Sequence, residues 1–142
     1  MTTGIKNINK EDNCMYPNNF HYTKDHEWVA VNGDTATVGI TDYAQNHLGD
    51  VVYIELPAVG KHLDVHQTIG SIESVKAVSE VFSPVSGEVV EANIELNKSP
   101  EAVNQDPHGK GWIIRLKMKN KGDLQALMSP ADYEKYLEGL EA

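Results

Sequence analysis

The sequence predicts a mainly β single domain with two or three short helices. Short apolar and β-branched runs recur between turns rich in glycine and proline. One Asn-Gly pair, Asn32-Gly33, separates two alternating runs. A helical apolar period marks the C-terminus, at Tyr133, Tyr136, Leu137 and Leu140.

The elements follow in order. Residues 1–19 read as a flexible polar tail, with order expected from Phe20. This tail has no hydrophobic signal core. It holds Glu11 and Asp12 and no Arg, a poor transit peptide. "HEWVAVNGDTATVGI" reads as a hairpin turning at Asn32-Gly33 through a two-residue type I′ turn. "TDYAQNHLGD" reads as a short helix, capped by Thr41, favoured by Asp42 in its first turn and ended by Gly49. "DVVYIELPAVGKHL" is a strand broken at Pro57 and Gly60, and "SGEVVEANIEL" is another after a turn. "KSPEAVNQ" fits one or two helical turns with Ser99 as cap and Pro100 first. "GWIIRLKMK" sets Trp112, Ile114 and Leu116 on one face and Arg115 and Lys117 on the other. "SPADYEKYLEGLEA" is an amphipathic helix over about 129–140. "GDVV" at Gly49–Val52 recurs as "GEVV" at Gly87–Val90, an echo that fits two similar halves.

Composition excludes several function classes. The 142 residues fit one domain, residues 20–142. Twelve basic against 21 acidic residues give a net charge of -9, which argues against nucleic-acid binding. No apolar run is long enough to span a membrane. Cys14 is the sole cysteine, so neither an internal disulfide nor a cysteine metal cluster is expected. "HLDVH", His62 to His66, lies in a strand-and-turn region without a third ligand and does not make a zinc site. No Ser-His-Asp grouping or phosphate-binding glycine loop has a supporting context.

Lys76 lies within "GSIESVKAVSE", between Glu73 and Glu80. Ile72, Val75, Val78 and Phe82, spaced by three or four, allow a short helix. Four β-branched aliphatics, three serines and the bounding Gly70 and Pro84 favour a hairpin with its tip near Val75-Lys76. Pattern alone leaves both open. Pro84 and Gly87 read as turn residues after this stretch.

"ESVKA" followed by "SPVSGEV" resembles the lipoylation region of the glycine cleavage system H-protein family. "HEWV", "GITDYAQNHLGDVVYIELP", "NKSPEAVNQDP", "GKGW" and "YEKYL" match in the right order, covering roughly His21 to Leu140. The resemblance implies a barrel-sandwich hybrid, two small β-sheets with Lys76 at a hairpin tip. It implies lipoic acid in amide linkage on Lys76 and a non-catalytic, monomeric carrier. The implied partners are a pyridoxal-phosphate glycine decarboxylase, a tetrahydrofolate-dependent aminomethyltransferase, dihydrolipoamide dehydrogenase and a lipoate-attaching enzyme. The implied location is the bacterial cytoplasm, or the mitochondrial matrix for a mature eukaryotic form. The loaded arm is expected in a cleft at Glu27 and His47, with Asp25 and Glu80. Asp25 stands where the family often has serine, and Glu80 where it often has aspartate. Glu73 is a candidate recognition residue for the lipoate-attaching enzyme, or equally a solubilising charge. The alternatives are a lipoyl or octanoyl relay supplying 2-oxoacid dehydrogenase complexes, a lipoyl domain of another complex, and an interaction protein without modification. Val75 and Ala77 flank Lys76 where biotin domains usually carry methionine.

Overall fold

The computed structural model describes residues 16–141. Cys14 and most of the expected tail lie outside the described residues. Among the described residues, nine strands form two antiparallel sheets. They are β1 (Phe20–Tyr22), β2 (Glu27–Asn32), β3 (Thr35–Ile40), β4 (Val51–Glu55), β5 (His62–Leu63), β6 (Thr68–Ser74), β7 (Val78–Phe82), β8 (Gly87–Ala92) and β9 (Ile114–Met118). The larger sheet runs β1-β2-β3-β9-β8-β5 and the smaller β4-β6-β7. Together they make the barrel-sandwich hybrid. The two copies of the "GDVV"/"GEVV" echo lead into β4 of the small sheet and β8 of the large one.

Alternation builds the core. Ala36, Val38 and Ile40 of β3 and Ile114, Leu116 and Met118 of β9 all turn inward. Ile54, Ile72 and Val81 of the small sheet close the same core from the other side. The β2–β3 turn falls one residue later than the Asn-Gly reading places it. Asn32 pairs with Thr35, leaving Gly33-Asp34 as the loop. Gly33 has φ +64° and Asp34 is not left-handed, which is type II′, not I′. Gly87 also differs from its turn assignment. It is the first residue of β8, and a Cβ there would collide with the Lys117 carbonyl on β9.

The helices are α1 (Asp42–Leu48), α2 (Glu95–Lys98), α3 (Ala102–Gln105) and α4 (Pro130–Glu141), with a 3₁₀ helix at Lys121–Ala126. The run "SGEVVEANIEL" leaves the sheet at Ala92, because the Asn93 side chain donates to the Lys110 and Trp112 carbonyls and turns the chain into α2. Ser99 therefore ends α2, its N–H donating to the Glu95 carbonyl, and its hydroxyl does not cap α3. Trp112 precedes β9 and is half-buried under the Arg115 guanidinium, whereas Trp28 is fully buried.

An aromatic second core fixes α4. Tyr133 stacks on Tyr22 at 4.8 Å, and Leu137 is buried beside them, while Leu140 is exposed. Tyr16, placed in the tail by sequence, packs edge-on against Tyr22 and Tyr133. Thr41 ties this core to α1. Its Oγ1 accepts from the Ala44 N–H and lies 2.8 Å from the Tyr133 hydroxyl. Thr41→Ala removes both contacts and is expected to cost about 1–3 kcal/mol in urea unfolding, with Thr41→Ser retaining most of it.

Candidate functional site

The hairpin β6–β7 is the structural answer at Lys76. Glu73 faces Val78, and the Ser74 N–H donates to the Ala77 carbonyl, leaving Val75-Lys76 as a two-residue tip. Ser74 locks this tip. Its Oγ accepts from the Lys76 N–H at 3.2 Å and the Ala77 N–H at 3.0 Å. The Val75 N–H reaches across to the Asp50 carbonyl at 3.0 Å. The backbone is therefore pinned while the Lys76 side chain is exposed and, among the described residues, makes no ion pair. Exposed Val75 and Val78 frame it.

Beside the hairpin lies a cleft of about 360 Å³. It brings together Asp25, Glu27, His47 and Glu80 with Ala77 and Val78, the two residues after Lys76. Ile40, Ala44, Leu48 and Ile72 add an apolar lining, and among the described residues no Lys or Arg lines it. Apolar walls suit a hydrocarbon chain, and carboxylates suit an amine.

Glu27 is the most constrained of these residues, at 2% exposure. Its Oε1 accepts from the Thr23 hydroxyl at 2.7 Å and its Oε2 from the Phe82 N–H at 3.1 Å. The carboxyl thus ties the large sheet to β7 of the small one. Burial pushes it from 4.5 up to about 7, against the opposing Thr23 and Phe82 hydrogen bonds, with Asp25 adding to the rise. Asp25 is exposed at the rim. Glu80 is also exposed, its Oε1 accepting from the Thr68 hydroxyl at 3.0 Å.

An aromatic row forms another part of the wall. His47 stacks on Tyr43 at 4.0 Å, and Tyr43 lies 4.5 Å from His26. His47 Nδ1 stands 3.0 Å from the Tyr43 carbonyl. His26 holds φ +71°, and its Nδ1 stands 2.8 Å from the Tyr133 hydroxyl. Burial lowers the His26 imidazole from its ordinary value; Asp25 opposes this and His47 adds to it. His26 is thereby held neutral near pH 7 beside an acidic cleft.

Glu73 stands apart from the cleft. It is exposed on the small sheet, in one cross-strand row with Tyr53 and Val78. Sequence reasoning did not single out Tyr43, His26, Ser74 or Thr23. "HEWV" contained His26, and the serine two before Lys76 fits a side-chain turn, but the contact of Tyr43 with His26 is fixed by α1 meeting the β1–β2 loop.

Comparison with known proteins agrees with this geometry. The family model described as "Glycine cleavage H-protein" matches residues 20–140. A glycine cleavage system H protein of Halothermothrix orenii is 52% identical over 125 residues, covering 88% of this chain and 98% of that protein. One from Thermus thermophilus is 52% identical over 122 residues, covering 86% and 95%. The crystal structure of a glycine cleavage system H protein from Mycobacterium marinum superposes with TM-score 0.79 at 33% identity, covering 86% of this chain and 98% of that one.

Proposed function

This chain belongs to the glycine cleavage H-protein family, and from that premise we propose that it shuttles an aminomethyl group on lipoic acid amide-linked to Lys76. The group moves from a pyridoxal-phosphate glycine decarboxylase to a tetrahydrofolate-dependent aminomethyltransferase, and dihydrolipoamide dehydrogenase resets the carrier. A lipoate-attaching enzyme installs the group. The observation that supports this most is an exposed lysine on a pinned two-residue hairpin tip, beside an acidic cleft with an apolar lining.

When attached, lipoic acid supplies a disulfide that accepts a carbon group together with two electrons. The chain supplies position and environment. Amide formation at Lys76 Nζ removes a charge, so a partner pocket does not have to desolvate an ammonium. The Ser74 and Asp50 hydrogen bonds hold the root of the arm still, and the exposed stem carries the group outward. Ile40, Leu48 and Ile72 exclude water along the cleft, and Asp25, Glu27 and Glu80 hold a cargo amine protonated. Protonation withholds the nitrogen lone pair and so guards the cargo against loss. The chain itself contributes no catalytic group in this reading. Among the described residues no helix is long and apolar enough to cross a membrane. With bacterial relatives, a bacterial cytoplasmic setting is the one we propose.

Intact mass after incubation with lipoate, ATP and a lipoate-attaching enzyme tests the assignment. The expected result is one lipoyl-sized increase, mapped to Lys76 by peptide sequencing and absent from Lys76→Ala. An unmodified wild type, or modification that persists in Lys76→Ala, would overturn it.

A further inference from the structure

We infer that Asn104, on α3 and outside the cleft, is the positioning residue for the carrier lysine. Its side chain grips the turn between α1 and β4 at two points. Nδ2 donates to the Gly49 carbonyl at 2.9 Å, and Oδ1 accepts from the Val51 N–H at 2.8 Å. These two groups flank Asp50, whose carbonyl receives the Val75 N–H from the hairpin tip. Asn104 thus fixes, from both sides, Asp50, whose carbonyl ties down the tip backbone.

The amide is itself oriented. Nδ2 also donates to Gln45 Oε1 at 3.0 Å, and Gln45 is buried and in turn donates to Asp42. A second contact joins the same turn to the lysine. A Cβ on Gly49 would stand 3.3 Å from Lys76 Cε, so the aliphatic stem runs over this glycine. Gly49 holds φ +82°, a conformation that glycine adopts without strain. The turn gripped by Asn104 is thus both the anchor of the tip and the floor under the stem. The Ser74 hydroxyl closes the hairpin locally, with its bonds staying within the tip.

Only the kinetic part of the following test rests on Lys76 being the modified residue; the amide-exchange part reads the unmodified protein. Asn104→Ala removes all three hydrogen bonds. Asn104→Asp keeps the size and an acceptor for Val51 but loses both donors. Asn97→Ala is the control, since Asn97 makes a similar side-chain bond to β4 at the Ile54 carbonyl. In unmodified protein, both Asn104 variants are expected to exchange the Val75 amide about tenfold faster, with the Val29 amide of the large sheet unchanged and Asn97→Ala resembling wild type at Val75. With a lipoate-attaching enzyme, the KM for the unmodified carrier is expected to rise about fivefold or more in the Asn104 variants, with a smaller change in kcat. Unchanged Val75 exchange in both Asn104 variants, or equal acceleration in Asn97→Ala, would overturn the inference. If wild type is not modified at all while the exchange pattern holds, the carrier reading fails and the positioning of the tip stands.

Discussion

Lys76→Arg is expected to fold as wild type and to reduce glycine–bicarbonate exchange, reconstituted with the decarboxylase, to background. The substitution keeps a long cationic stem. It leaves every tip hydrogen bond in place, because these come from the backbone and from Ser74. What it removes is an amine that can lose its proton and be acylated. Guanidinium stays protonated at any working pH and does not form the amide. The variant therefore separates modification from shape, and unfolding in urea should match wild type within about 0.5 kcal/mol. Exchange that persists in Lys76→Arg would show that the carried group sits elsewhere. Wild-type lipoylated protein that supports no exchange would favour the relay reading, in which the group passes to other complexes.

The second large effect lies at Glu27. A buried carboxyl raised from 4.5 to about 7 binds its proton more tightly folded than unfolded. Its contribution to stability is therefore complete below pH 4.5 and is lost as pH rises through about 7. At 1.36 kcal/mol per pH unit the shift corresponds to at most about 3 kcal/mol. Glu27→Gln has no such titration. The difference in unfolding free energy between wild type and Glu27→Gln is expected to fall by about 2–3 kcal/mol between pH 4.5 and pH 8, measured by urea denaturation at a series of pH values. Parallel profiles would show that the carboxyl does not change its proton on unfolding. The same property bears on the cargo. Above about pH 7 the Glu27 anion is buried, among the described residues with no Lys or Arg lining the cleft, and an ammonium brought there would supply a counter-charge. Loaded Glu27→Gln is therefore expected to release formaldehyde and ammonia faster than wild type at pH 7.5, and equal rates would remove Glu27 from cargo protection.

The same carboxyl explains why the cleft is coupled to the fold. Glu27 ends its hydrogen bonds on Thr23 of the β1–β2 loop and on Phe82 at the end of β7. Any change in its charge acts on the joint between the two sheets as well as on the cleft. His26 and Tyr43 make a parallel connection, since His26 reaches Tyr133 of α4 and Tyr43 belongs to α1.

Local features were legible in the sequence wherever the physics was local. Alternation marked β2, β3 and β9; Thr41 and Gly49 marked both ends of α1; Ser129 and the apolar period marked α4. Around Lys76 the residue pattern alone left helix and hairpin open, because spacings of three and four coincide with β-branched residues that suit strands; the family resemblance implied the hairpin. Pairing with β4 shows that hairpin and its physical reason, since Ile54, Ile72 and Ser79 lie in one register across three strands. The matched segments singled out Lys76, Glu27, His47, Asp25 and Glu80 as candidates, and the fold brings the last four to one cleft. The sequence could not show that Glu27 bridges two sheets, that Tyr43 stacks between His26 and His47, or that Asn104 holds the turn beneath the lysine. Tyr43 and His47 are neighbours on α1, but Glu27 meets Phe82, Asn104 meets Gly49 and Tyr43 meets His26 only when separate elements come together. Such contacts leave no periodicity to read. They exist because buried polar groups must find partners, and only the completed packing determines which partners are within reach.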